Sequence, residues 1–308
     1  MEDIKDYLEI VLITYNRATE LKNTLDALCK SPFAVCRITI LNNASTDNTL
    51  KVCNSYLDEF ANLTIITHKV NIGGNANILR AVETSNGKYT WILADDDEYD
   101  FSDCDDLIEA IITEKAELIH VGAHTDVPWN LGGNLDTPRN LVNKGYPFFR
   151  FSSFLPCNVF RTEAFYPYII QGYDNIINFY PHMPFLISFY ELDKYIYITK
   201  NRIVKAVIIR YLSYHKNILR EINVGWFNTV LLLKNKKERK MVFKEQLGNS
   251  ITKKMYLPLH VLLTIILYRI PITKYYQLFG ITIFLCSLVL FPVFCIYFVA
   301  RKVFRSFN

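Results

Sequence analysis

Four short apolar runs, each followed by a helical pattern or a polar turn, fill the first hundred residues and limit the chain to a narrow set of folds. Residues 8–16 read Leu-Glu-Ile-Val-Leu-Ile-Thr-Tyr-Asn, an apolar strand closing on a polar turn. Leu21, Leu25 and Leu28 then recur on one helix face. Residues 37–42 make a second strand that runs into Asn42-Asn43-Ala44-Ser45-Thr46-Asp47, and the next helix carries Leu50, Val52, Tyr56, Leu57 and Phe60. A third strand covers 63–67, and Asn71-Ile72-Gly73-Gly74-Asn75 opens a third helix. The fourth strand, 89–94, is Tyr-Thr-Trp-Ile-Leu-Ala. Strands alternating with helices predict an α/β fold with a mainly parallel sheet and right-handed crossovers. Ligands of such sheets lie beyond the carboxyl ends of the strands. Each polar motif sits at such an end, so the four converge on one crevice.

The fourth strand delivers Asp95-Asp96-Asp97-Glu98. Adjacent carboxylates at the end of an apolar strand repel one another and call for a countercharge. A divalent cation supplies it, and hard carboxylate oxygens suit Mg²⁺ or Mn²⁺, which also hold substrate phosphates. An isolated acidic run is more often a solvated loop; here the three neighbouring strand-end motifs favour a metal bridging the protein to a diphosphate.

Residues 100–220 are less regular and rich in Tyr and Phe, with a loop-like stretch at 126–147. They are expected to complete the first domain and build the acceptor side of the cleft. Net charge is only +4, so bulk charge excludes little. Its distribution says more: Lys234, Lys236, Lys237, Arg239, Lys240, Lys244, Lys253 and Lys254 face only Glu238 and Glu245. Such a run meets nucleic acid or an anionic membrane surface. The C-terminal stretch favours the membrane and no nucleic acid, since 278–300 holds no charged residue and is long enough to span a bilayer core. The shorter apolar stretch 255–268 reads as an interfacial or re-entrant helix, or as half of a hairpin. Basic residues flank the whole region, which favours a hairpin or monotopic anchor with both ends cytoplasmic. A buried helix pair is the alternative. The division expected is a catalytic domain at 1–220, with halves near 1–100 and 101–220, a basic amphipathic segment at 221–254 and membrane-associated helices at 255–308. The polar N-terminus carries no signal peptide. Cys29, Cys36, Cys53, Cys104, Cys157, Cys286 and Cys295 lack a Cys-x-x-Cys pair and read as reduced thiols.

The motifs resemble family 2 glycosyltransferases of the GT-A fold. The words that carry the resemblance are Ile13-Thr14-Tyr15-Asn16-Arg17, Leu41-Asn42-Asn43-Ala44-Ser45-Thr46-Asp47, Asn71-Ile72-Gly73-Gly74-Asn75-Ala76-Asn77 and Leu93-Ala94-Asp95-Asp96-Asp97-Glu98. They agree with the family in type, order and spacing over roughly residues 8–200. Val159-Phe160-Arg161-Thr162-Glu163-Ala164 and Gly172-Tyr173-Asp174 look like its second-half pattern. The resemblance implies a Rossmann-like nucleotide-diphospho-sugar transferase that inverts the anomeric carbon with Mg²⁺ or Mn²⁺ on the diphosphate. Thr14, Tyr15, Asn16 and Arg17 are then expected at the base and ribose, Arg17 being equally readable as a surface charge. Asn42 stands where the family usually has a base-reading aspartate, which leaves the base open between uracil and others. Asn43, Asn71, Gly73, Gly74 and Asn77 would face the nucleotide, Asn43 being also readable as a helix cap, whereas Asp47 reads first as one. Asp97 is assigned to the metal and Asp95 to ribose or metal, with Asp96 beside them.

Inverting transfer needs a base for the acceptor hydroxyl. The family's Glu-Asp pair is absent, and Phe179-Tyr180-Pro181-His182-Met183-Pro184 stands in its place. His182 is the first candidate, Asp174 the second and Glu191 stands behind them. Together these readings give a transferase at the inner or plasma membrane with its catalytic domain on the cytoplasmic face. It would move a sugar, UDP-linked in the first reading, to a lipid-linked glycan acceptor. A membrane-tethered sugar-nucleotide-binding scaffold without catalysis is the alternative.

Overall fold

The computed structural model describes residues 3–124, 129–178, 180–205, 225–247, 259, 262 and 285–292. The chain divides into two compact units, Met1–Tyr211 and Leu212–Asn308.

The first unit is built on strands β1 (Leu8–Thr14), β2 (Arg37–Asn42), β3 (Leu63–Thr67) and β4 (Tyr89–Ala94), linked by helices α1 (Ala18–Cys29), α2 (Thr49–Ser55) and α3 (Gly74–Thr84). These strands pair in parallel in the order β3-β2-β1-β4. β1 and β4 are buried almost throughout, as expected for central strands covered on both faces. Register aligns Thr14 with Asn42, Asn42 with Thr67 and Ile13 with Ala94. The four carboxyl ends therefore lie level, and the loops leaving them share one rim.

The second half departs from the expected mainly parallel sheet. It adds β5 (Glu98–Tyr99), α4 (Asp105–Ile112), β6 (Leu118–Ala123), β7 (Leu135–Asp136), α5 (Pro138–Asn143), α6 (Phe148–Ser153), β8 (Asn158–Arg161), α7 (Thr162–Phe165), α8 (Ile169–Asp174), α9 (Met183–Glu191) and β9 (Ile196–Lys205). β8 inserts antiparallel between β4 and β6, and β9 pairs parallel with β6 but antiparallel with β5 and β7. The sheet is thus mixed. The direction of β8 restores β6 to the sense of β4, so β6 and β9 also end on the rim beside Asp95.

Packing fixes this arrangement through aromatic residues. Trp91 is fully buried, donates from Nε1 to the Pro156 carbonyl at 2.8 Å and meets Phe33 and Phe101 edge-on. One acid is buried in the sheet itself: Glu9 accepts from Thr39 Oγ1 at 2.7 Å and from the Asn86 amide at 2.7 Å, which satisfies both of its oxygens.

In the second unit, α10 (Trp226–Leu231) and α11 (Lys236–Leu247) are described, and α11 carries the basic residues Lys236, Lys237, Arg239 and Lys240. Among the described residues no helix is long and apolar enough to cross a membrane. This finding overturns the expected placement at the inner or plasma membrane. The apolar run 278–300, apart from 285–292, and nearly all of 255–268 lie outside the described residues.

Candidate active site

The rim is organised by Arg17. Its Nη1 donates to Asp95 Oδ1 at 2.7 Å and lies 2.8 Å from Asp96 Oδ2, tying the turn after β1 to the end of β4. The countercharge demanded by the acidic cluster thus comes first from the protein. Asp95 is 2% exposed. Burial pushes its carboxyl up to about 6, and Arg17 opposes that rise without cancelling it. The Thr14 hydroxyl lies close enough to favour the charged carboxylate, yet no bond of normal geometry joins them. Thr14 Oγ1 and Asp95 Oδ2 are both buried without a protein hydrogen-bond partner. Thr24 Oγ1, which sequence reasoning passed over, holds the Asp95 carbonyl at 3.3 Å.

Asp97 is half-buried on the next turn. Its charge reaches the Tyr99 phenol and the Cys157 thiol, both raised well above their ordinary values by burial first and by carboxylates second. Among the described residues, no group of three or more His, Cys, Asp and Glu side chains forms a ready cation site. The donor chemistry nevertheless fits Mg²⁺ or Mn²⁺. These ions take one or two carboxylates and complete their shell with substrate phosphates and water. Asp97 and the unpartnered Asp95 Oδ2 offer such a set.

The asparagines tie the loops of the rim to one another. Asn42 is fully buried, with Oδ1 accepting from the Ser45 amide at 3.1 Å and Nδ2 reaching Thr67 Oγ1 at 3.4 Å. Asn43 is also buried; Nδ2 donates to Asn71 Oδ1 at 3.0 Å and Oδ1 accepts from the Ile72 amide at 2.9 Å. Asn77 Nδ2 donates to the Leu41 carbonyl at 3.2 Å, and its Oδ1 meets His68 Nε2 at 2.9 Å. Asn16, at φ 52°, accepts from the Thr46 amide at 2.7 Å. These side chains are spent on tying loops together, because a buried amide left unpaired is costly. Asn42 thus ties its loop through both of its side-chain groups. Asp47, one residue before the N-cap Asn48 of α2, accepts from the Thr49 amide at 2.9 Å.

Exposed groups line the rim instead. Tyr15 is 42% exposed, and Asn71, Gly73 and Gly74 are open. Gly73 adopts φ +86°, a left-handed conformation that favours glycine, and introduces α3. A Cβ on Gly74 would meet nothing within 4 Å. No protein packing calls for that glycine.

His182 precedes α9 and is 4% exposed. Its Nε2 lies 3.1 Å from the Ser152 carbonyl. A carbonyl only accepts, so Nε2 carries the proton and Nδ1 keeps its lone pair. Nδ1 has no hydrogen-bond partner. Burial lowers the imidazole to about 4 against the backbone of Ser152 and Ser153, which keeps it neutral. A second buried histidine, His120, bridges Tyr146 Oη at 2.9 Å and Ser152 Oγ at 3.2 Å. Neither Ser152 nor His120 carried a sequence signal. Asp174 ends α8 in an exposed position.

Known proteins agree with this architecture. Residues 9–160 match the sequence model of Glycosyl transferase family 2. An uncharacterized glycosyltransferase of Escherichia coli K12, YibD, is 25% identical over 91 residues. That alignment spans 30% of this chain and 26% of the relative, about a quarter of its length. Staphylococcus aureus TarS 1-349 in complex with UDP-GlcNAc superposes at a TM-score of 0.59 with 15% identity, covering 88% of this chain and 78% of that one. A mannosyltransferase from Pyrobaculum calidifontis in complex with GDP-Man and Mn²⁺ superposes at 0.51 with 12% identity, covering 92% and 86%. At such identities the likeness shows the fold, the GT-A arrangement of a mixed sheet. Residues 9–160, just under half of the chain, match glycosyl transferase family 2, and together with the shared fold this supports a transferase enzyme.

Proposed function

We propose that the chain transfers a sugar from a nucleotide-diphosphate donor to a hydroxyl of a glycan acceptor, with inversion at the anomeric carbon. The observation that carries this reading is the end of β4. A buried carboxylate with one unpartnered oxygen and a second, half-buried carboxylate stand on the rim where the polar loops converge. Asp97, with Asp95, would hold Mg²⁺ or Mn²⁺, which when bound offsets charge growing on the leaving diphosphate. Arg17 keeps Asp95 and Asp96 oriented. Tyr15 and Asn71 offer side chains on the rim, and Gly73 and Gly74 let a ligand approach the backbone.

His182 takes the proton of the attacking hydroxyl. Its neutral state, its fixed tautomer and its bare Nδ1 suit a base oriented by a third group, here the Ser152 carbonyl. UDP is the first donor to test, because the structural neighbour of higher TM-score carries UDP-GlcNAc; GDP-mannose, as in the Pyrobaculum calidifontis neighbour, is the second. A polyprenyl-linked acceptor is supported by the apolar and basic C-terminal sequence alone.

The test is release of nucleoside diphosphate from a panel of nucleotide sugars, with Mn²⁺ or Mg²⁺ and a panel of glycan acceptors. Turnover of one donor supports transfer. Donor binding without turnover on any acceptor would instead favour a non-catalytic sugar-nucleotide-binding protein.

A further inference from the structure

A second cleft opens on the same rim. It measures about 460 Å³, and its walls include Asp100, Asp103, His124, Trp129, Lys200 and Arg202. Its size falls in the range of about 300–1,000 Å³ usual for small-molecule sites. Two strand ends frame it: the Asp100 amide donates to the Ile203 carbonyl at 2.8 Å, and the His124 amide donates to the Val204 carbonyl at 2.7 Å. β5 leads to it directly from the acidic cluster. Three residues of extended chain reach about 10 Å at most, so Asp100 lies within one or two sugar rings of Asp97.

Trp129 is held in place on this wall. Its Nε1 donates to the Thr199 carbonyl at 2.9 Å, and its ring meets Phe151 edge-on at 5.1 Å and Tyr146 at 6.0 Å. The indole remains half-buried and lines the cleft. Around it the charges are mixed. Asp100 is held below its ordinary value by the Ser102 side chain and amide, with His124 nearby. A polyanion such as a diphosphate would meet Asp100 and Asp103, and a polycation would meet Lys200 and Arg202. A neutral polyol satisfies both signs, its hydroxyls donating to carboxylates and accepting from the cations. The fixed indole supplies an apolar surface for a ring's C–H face.

We propose that this cleft is a saccharide subsite for a neutral pyranose of the acceptor. Its assignment to the acceptor rests on the glycosyl-transfer reading.

Saturation-transfer NMR on the full-length protein tests it, with methyl glycosides of glucose, galactose, mannose and N-acetylglucosamine as probes. The variant is Asp103→Asn with Lys200→Met, both on exposed side chains. UDP and GDP binding with Mg²⁺ is measured by calorimetry on each protein. The expected result is saturation of at least one glycoside that weakens about fivefold or more in the variant, with nucleotide binding unchanged. Absence of saturation for every glycoside, or equal saturation in both proteins, overturns the subsite. Glycoside binding without any nucleotide binding upholds the subsite and counts against the transfer reading.

Discussion

Arg17 Nη1 lies 2.7 Å from Asp95 Oδ1, and this contact joins the turn after β1 to the end of β4. Residues far apart in sequence thereby share one charge balance, in which the buried carboxylate depends on the partly buried guanidinium. Removing the cation leaves a buried charge uncompensated. An Arg17→Met variant is expected to lose about 2–4 kcal/mol of stability in urea unfolding, somewhat less than a fully buried pair would cost. Arg17→Lys recovers part of the loss but not the shared contact with Asp96. Equal stability of Arg17→Met and the parent would show that the clamp contributes nothing.

Three buried groups set opposing slopes of stability with pH. Asp95 rises from 3.8 to about 6 in the fold, so between these values the folded chain binds more protons and stability falls as pH rises. His120 and His182 fall from 6.5 to about 3 and about 4, so the unfolded chain binds more protons and stability rises with pH up to about 6.5. Each group contributes at most about 1.4 kcal/mol per pH unit. Two histidines outweigh one aspartate, and stability is expected to climb from pH 4 to 6. His120→Asn should flatten that climb, and Asp95→Asn should steepen it. Denaturant melts across this range measure both.

Gly73 and Gly74 separate backbone need from ligand approach. Gly73→Ala places a Cβ at φ 86° and ψ 151°, a region essentially confined to glycine, and is expected to cost about 1–3 kcal/mol. Gly74→Ala meets open space and should leave stability within about 0.5 kcal/mol. If the donor backs onto this turn, Gly74→Ala weakens donor binding while the melting temperature holds. Unchanged donor affinity would remove Gly74 from the site.

His182→Gln keeps a donor for the Ser152 carbonyl and removes the proton acceptor. The expected loss is about 10²–10⁴-fold in kcat with donor KM unchanged. Near-full transfer by a folded variant would move the base elsewhere, with Asp174 next in line.

The parallel half was legible because its strands are central and apolar. Tyr89–Ala94 is buried at every position but the last, and such runs announce themselves. The antiparallel half was not. β8, Asn158–Arg161, has four residues and lies in an aromatic-rich stretch without periodicity, yet it reverses the sense of the sheet. The strand-end asparagines were legible as special residues, but not their loop partners. Whether an amide faces a ligand or a loop depends on partners such as Ser45 and Asn71, which only folding brings close. His182 was visible by its place after Gly172-Tyr173-Asp174, whereas its tautomer depends on Ser152, thirty residues away.

The acidic end of β4 is the centre of the functional reading, and calorimetric binding of UDP-GlcNAc and GDP-mannose with and without Mn²⁺ examines it most directly, alongside Asp97→Asn. Metal-dependent binding of one donor that weakens about tenfold or more in the variant, a change of about 1.4 kcal/mol, is the expected result. Donor binding that is equally tight without metal and in Asp97→Asn would contradict it.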